Sequence, residues 1–296
     1  MNKQLLSLLI LISVSCSKQE VDICHITDNV LHARTDFPIG VAVKLEELKH
    51  NQPYENIVTT QFNSITPENI FKPSYLHPEQ GVFFWTEADE LVDYCVQNNK
   101  RLHGHTLIWH LQLPDWIKQF NGTTSQWDNL MKTHVQTIVN HFKGKVSGWD
   151  VVNEAFNDNG TLRNNIWKQH LGSGYIEKAF QYAHEADPNA KLFYNDYSIS
   201  ANTKKRTAVL NFLNNLKFKG VPIDGIGMQM HISTAFPENF EISAALNDIW
   251  KSDYQIHLSE LDLSINPYSQ HMPSPSSLQC TSSNQVEGNK VYTLDI

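Results

Sequence analysis

The feature that most constrains this chain is a repeated unit: a short apolar run of β type, a polar cluster at its end, then a segment of helical periodicity. Seven such runs occupy residues 39–43, 62–66, 101–105, 147–152, 191–194, 225–230 and 256–261. Between them, residues 86–97 place Leu91, Val92, Cys95 and Val96 on one helical face. Residues 128–142 do the same with Leu130, Met131, His134, Val135, Ile138 and Val139. Residues 175–186, 203–216 and 242–249 read similarly. Strands separated by helices that cross back over a sheet run parallel. The run ends are polar: Thr66-Pro67-Glu68-Asn69, His103-Gly104-His105, Asn153-Glu154, Asn195-Asp196, Gln229-Met230-His231 and Ser259-Glu260. Barrels of β/α units gather their chemistry at the C-terminal strand ends, so this distribution favours an α/β fold of the (β/α)8 TIM-barrel class over an open sheet. An open nucleotide-binding sheet would carry a Gly-rich turn after its first strand, and none is present.

The chain has 296 residues, 41% of them hydrophobic, which suits one large α/β domain. A net charge of −8 excludes a polyphosphate-binding surface, so no nucleic-acid partner is expected. Seven Trp, ten Tyr and fourteen His supply aromatic faces and neutral hydrogen-bonding groups of the kind sugar sites use, although most aromatics sit in cores. Residues 1–15 read as a signal peptide: Lys3 precedes an apolar run from Leu5 to Ile12 too short to span a bilayer. Small residues then lead into Cys16, the pattern of a lipoprotein site where the cysteine is lipidated. A plain secretory signal is the alternative, and both export the chain. Residues 16–35 form a polar linker, 36–267 the barrel and 268–296 an atypical tail. Cys24, Cys95 and Cys280 give neither a zinc spacing nor a disulfide framework, and Cys95 reads as helix core. His103 and His105 share one strand with no carboxylate partner evident nearby, so no metal is expected. Nothing in the sequence sets an oligomeric state.

Two carboxylates stand out. Glu154 ends the run Trp149-Asp150-Val151-Val152-Asn153-Glu154, and Glu260 ends Ile256-His257-Leu258-Ser259-Glu260. These are the fourth and seventh strands, which face each other across the mouth of an eight-stranded barrel. Glycoside hydrolysis needs such a pair: an acid for the leaving oxygen, and a carboxylate that attacks the anomeric carbon or activates water.

Six segments then resemble glycoside hydrolase family 10, the endo-β-1,4-xylanases, in the family's order. They are Phe62 to Asn69 with Lys72; Gly104 to His110 with Gln112-Leu113-Pro114; Trp149 to Ala155; Phe193 to Tyr197; Gly227 to His231; and Leu258 to Asp262. The resemblance implies a retaining enzyme acting on xylan or xylo-oligosaccharides without a cofactor. Glu154 would act first as acid and then as base, and Glu260 as nucleophile. His231 with Asp262 behind it would hold Glu260 oriented and ionised, and Asn153 would bind the sugar 2-hydroxyl. Glu68, Asn69 and Lys72 would line the neighbouring sugar subsite on the non-reducing side. His105, Trp109 and Gln112 would shape the subsite where the bond breaks, and Gln229 would contact sugar beside His231. Another retaining β-glycanase, or an inactive fragment, is the alternative.

The pattern departs from the family after about His271. Met272 to Ser277 is turn-forming, and the residues to Ile296 show no helical period and no Trp. Val291 to Leu294 could form a short strand. The eighth β/α unit is therefore expected to be missing, through a truncated or frameshifted reading or a shortened natural variant, which would leave the sheet edge open.

Overall fold

A computed structural model describes residues 30–265, and the expected signal, Cys16 and the tail beyond 265 lie outside them. Nine strands are described: β1 (Gly40–Val43), β2 (Ser64–Pro67), β3 (Arg101–Ile108), β4 (Gly148–Asn153), β5 (Lys191–Asp196), β6 (Gly225–Met228), β7 (His231–Ser233), β8 (Gln255–Leu258) and β9 (Asp262–Ser264). The helices are α1 (Leu45–His50), α2 (Gln52–Gln61), α3 (Pro73–Leu76), α4 (Thr86–Gln97), α5 (Asp115–Lys118), α6 (Thr124–His141), α7 (Ile166–Leu171), α8 (Tyr175–Ala186), α9 (Thr203–Phe218) and α10 (Asn239–Lys251). A 3-10 turn, Leu31–Arg34, falls inside the expected linker and is tied to α2 by Leu31 N–H donating to Gln61.

The main sheet has seven strands in the order β1-β2-β3-β4-β5-β6-β8, all parallel. This is the wall of a β/α barrel, and among the described residues β8 and β1 are not paired. An eighth unit is absent from the described residues, and the 291–294 strand lies beyond them. A cavity of about 1220 Å³ opens there, lined from the strand starts (Ile39, Arg101, Gln255) to the strand ends (Glu68, Lys72, Glu260).

Local chemistry explains most boundaries. The amphipathic α6 starts four residues before the expected 128 because Thr123 and Gln126 form a reciprocal capping box. Its expected core face is buried throughout. In α4, Ala88, Leu91, Val92 and Cys95 are buried, but Val96 is 63% exposed, a correction to the expected face. One residue past Cys95 turns about 100° around the helix, enough to carry the side chain off a narrow stripe. The expected run 225–230 is divided: β6 stops at Met228, and Met230 takes a left-handed backbone (φ 57°) that turns the chain into β7. Strands β3, β4 and β5 are buried almost throughout, whereas β8 has no fully buried position.

Candidate functional site

Glu154 follows β4 directly, with a left-handed backbone (φ 56°) fixed by its N–H donating to the Asn195 carbonyl at 2.9 Å. The carboxylate accepts from neutral donors. Trp109 Nε1 donates to Oε2 at 3.1 Å, and Gln229 Nε2 donates to Oε1 at 2.9 Å. Arg163 holds the Glu154 carbonyl through Nε at 3.0 Å. Asn153, on the last position of β4, accepts from Asn195 Nδ2 at 3.0 Å and turns its own nitrogen towards Glu154 Oε1 at 3.4 Å. Turned the other way it would accept from Trp109 Nε1 at 3.2 Å and donate to the Asn195 carbonyl at 3.3 Å. The first orientation leaves Trp109 to Glu154 and keeps the Asn153–Asn195 bond.

Glu260 sits between β8 and β9 and is held by a different set. Asn195 Nδ2 donates to Oε1 at 2.9 Å, and His231 Nε2 lies 3.5 Å from Oε2. His231 Nδ1 pairs with Asp262 Oδ2 at 2.6 Å, and its Nε2 reaches Gln229 Oε1 at 3.2 Å. Both ring nitrogens therefore face acceptors, the arrangement of an imidazolium. The Asp262 hydrogen bond, followed by that to Glu260, raises the His231 pKa to about 10 against the opposing effect of burial. Burial pushes the Glu260 carboxyl upward. The His231 hydrogen bond, the charge of His105 and the Asn195 hydrogen bond together outweigh it and leave the group below its ordinary value. Gln229 thus bridges the two glutamates, giving a hydrogen bond to one and taking one from the histidine that faces the other.

The remaining expected residues fall around this pair. Lys72 Nζ donates to Asn69 Oδ1 at 3.0 Å and stands 5.7 Å from the Trp109 ring centroid. Burial lowers its pKa, opposed by Glu260, Glu68 and Glu154. Glu68, His105, Lys72 and Glu260 line the cavity together. Gln112 is not brought in: its side chain is exposed and makes no hydrogen bond among the described residues, although its carbonyl accepts from Ser74 N–H. His105 corrects the expectation of histidines without a carboxylate. Asp150 on β4 accepts from His105 Nδ1 at 2.9 Å and lies 3.0 Å from His103 Nε2. Periodicity along β3 does not show which side chain of the neighbouring strand a residue meets; register does, and it sets His105 against Asp150.

Asn195 is the functional residue the sequence reading passes over, although its strand-end position was the available signal. It touches Asn153 and Glu260, and Ser259 Oγ donates to its Oδ1 at 2.6 Å. Gly227 on β6 makes room for it: a Cβ there would lie 2.3 Å from Asn195 Oδ1. Beneath, Asp196 is paired with the fully buried Lys205 at 2.8 Å and accepts from Tyr194. Burial raises the Asp196 pKa to about 6 against the pull of Lys205.

Parallel β/α units with two glutamates at facing strand ends, each oriented by amide, indole or imidazole groups, define the class of barrel glycosidases. Residues 29–292 match Glycosyl hydrolase family 10, and the chain belongs to that family. The match runs past His271. Endo-1,4-beta-xylanase A of Thermoanaerobacterium saccharolyticum is 44% identical over 243 residues, covering 78% of this chain and 21% of that protein. Exoglucanase XynX of Acetivibrio thermocellus is also 44% identical over 243 residues, covering 78% of this chain and 22% of that protein. The chain thus spans about a fifth of the length of these curated relatives. Among solved structures, the intracellular xylanase TsXylA of T. saccharolyticum, in complex with xylotriose, is 41% identical with a TM-score of 0.78, covering 81% of this chain and 78% of that one. Xylanase 10B of Thermotoga petrophila, in complex with xylobiose, is 40% identical with a TM-score of 0.78, covering 83% and 76%.

Proposed function

We propose that the chain is a retaining endo-β-1,4-xylanase, with Glu154 as acid/base and Glu260 as nucleophile. The observation that carries this reading is the unequal support of the two carboxylates. Glu260 faces a cationic histidine that keeps it anionic, as a nucleophile must be. The hydrogen bonds to the Glu154 carboxylate come from neutral donors, Trp109, Gln229 and Asn153, which tolerate both a carboxylic acid and a carboxylate. In the first step Glu154 gives its proton to the glycosidic oxygen as the Glu260 carboxylate attacks the anomeric carbon, forming a glycosyl ester and releasing the leaving sugar. In the second, Glu154 removes a proton from water, the water oxygen attacks the same carbon, and the ester bond to Glu260 breaks. Asn153 binds the sugar 2-hydroxyl, and Glu68, Asn69, Lys72, His105 and Trp109 contact neighbouring units. The substrate is supported by relatives bearing xylanase names and by structural neighbours that hold xylo-oligosaccharides.

The test is hydrolysis of aryl xylobiosides by wild type, Glu154→Ala and Glu260→Ala. Glu260→Ala should lose about 10⁴-fold or more with every leaving group. Glu154→Ala should lose far less of its first step with a dinitrophenyl group, which departs without a proton. An unchanged rate in either variant overturns the assignment. The relative named as an exoglucanase favours a second reading, another retaining β-glycanase, and product analysis on xylan against glucan separates the two. The chain is further proposed to be exported and tethered to the cell envelope through a lipid on Cys16, a reading supported by the apolar run before that cysteine. Loss of membrane association in Cys16→Ala would support it.

A further inference from the structure

On the strands of the barrel wall, three buried polar atoms outside the glutamate pair have no hydrogen-bond partner: His103 Nε2, Asp150 Oδ1 and His257 Nδ1. They come from β3, β4 and β8: His103 Nε2 and Asp150 Oδ1 are 3.0 Å apart, and the three side chains each offer one donor atom within 4.8 Å of the others. The His103 and Asp150 side chains are 8% and 1% exposed. Their 3.0 Å approach brings charge attraction and a hydrogen bond too poorly aligned to satisfy either atom. Native structures rarely bury unsatisfied polar atoms, and three converging on one point need a common partner. We infer that His103, Asp150 and His257 form a binding site for a divalent transition-metal ion of the zinc type.

The donor chemistry fits. Two imidazoles and one carboxylate suit a borderline ion; tetrahedral bonds of about 2.1 Å set the ligand atoms about 3.4 Å apart, so the present spacing of up to 4.8 Å must close by up to about 1.4 Å around the ion. His257 Nδ1 is buried without a hydrogen-bond partner, so its ring nitrogen is free to meet an ion. The other Asp150 oxygen accepts from His105 Nδ1, the kind of outer hydrogen bond that orients a ligating carboxylate. Asp150 is held below the ordinary carboxylate range: burial works against this, but the two histidines outweigh it. His103, His105 and His257 all line the open cavity, which gives the ion a route in. Arg101 at the start of β3 also faces His257 and disfavours a cation there, so the single Asp150 charge must dominate. Bound metal would tie β8, at one end of the described sheet, across the interior to β3 and β4. This departs from the sequence expectation of no metal.

The competing occupant is a water molecule, which could bond all three atoms. The test uses the full chain, stripped with chelator and titrated with Zn²⁺ or Co²⁺ alone, with Mg²⁺ as control. Expected are one saturable Zn²⁺ equivalent lost at least tenfold in affinity in His103→Ala and in His257→Gln, visible Co²⁺ d–d absorption that disappears in both variants, and a melting midpoint raised by about 3 °C or more at saturating Zn²⁺ in wild type only. Circular dichroism confirms folding of each variant, and His257→Gln on β8 serves if His103→Ala does not fold. No saturable binding by wild type, or equal binding by wild type and folded variants, overturns the site, the second outcome placing the metal on other histidines or cysteines.

Discussion

The two glutamates stand on walls of very different construction. Glu154 grows from β4, whose positions are all buried and whose neighbours β3 and β5 are buried nearly throughout. Trp149 on that strand packs so closely over β3 that a Cβ on Gly104 would meet its ring at 2.1 Å. Glu260 follows β8, which pairs with β6 alone among the described residues and buries none of its positions fully. One carboxylate is placed by a packed wall and the other by Asn195 of β5 and His231 of β7, with Asp262 of β9 behind the histidine. Position on the first side is a matter of packing, and on the second of polar wiring.

Deleting the packed wall should have the largest effect. Trp149→Ala should cost about 3–5 kcal/mol of stability, measured by denaturant unfolding, against about 1–2 kcal/mol for Ile256→Ala on the half-exposed β8. Equal losses would erase the distinction between the walls. Next, Asn195→Ala should lower kcat by about 10²–10³-fold, the range for removing one preorganised donor, with little change in unfolding midpoint. A large stability loss with an intact kcat would make Asn195 structural instead. Gly227→Ala should reproduce part of that kcat loss by displacing Asn195, and a kcat within twofold of wild type would show that the wiring tolerates the shift.

The smallest effect is in pH. His231 titrates higher in the folded chain than unfolded, so its stabilising contribution is full below about 6.5 and is lost as pH rises through about 10. Glu260 has the opposite sense: its folded pKa is lowered, so its contribution is present above the ordinary glutamate value and fades as pH falls. The stability difference between wild type and His231→Gln should therefore be greatest near neutrality and below, and vanish above pH 10. A difference that grows with alkali would contradict the imidazolium.

The packed wall was the more legible half. The spacing of apolar residues locates β3 to β5, and their runs into polar ends mark Glu154 and Glu260 without any coordinates. What periodicity leaves out is pairing between strands. Asp150 is invisible as a partner of His103 and His105 because only register brings β3 and β4 side by side. Asn195 carries little signal because an Asn at a strand end is common, and its role depends on the missing side chain at Gly227. Val96 failed for a different reason: an apolar residue next to a core stripe looks like part of it until the helix is set against its neighbours.

The left-handed backbone of Glu154 has a consequence for how such a gene would decay. A residue with a Cβ at φ 56° is strained by about 1–2 kcal/mol relative to the right-handed form, and glycine is not. Relieved of selection for turnover, this position gains by drifting towards glycine, so the least active descendants of this sequence could be among the hardest to melt. On the proposed chemistry, the glutamate at 154 serves turnover at the expense of the backbone that carries it.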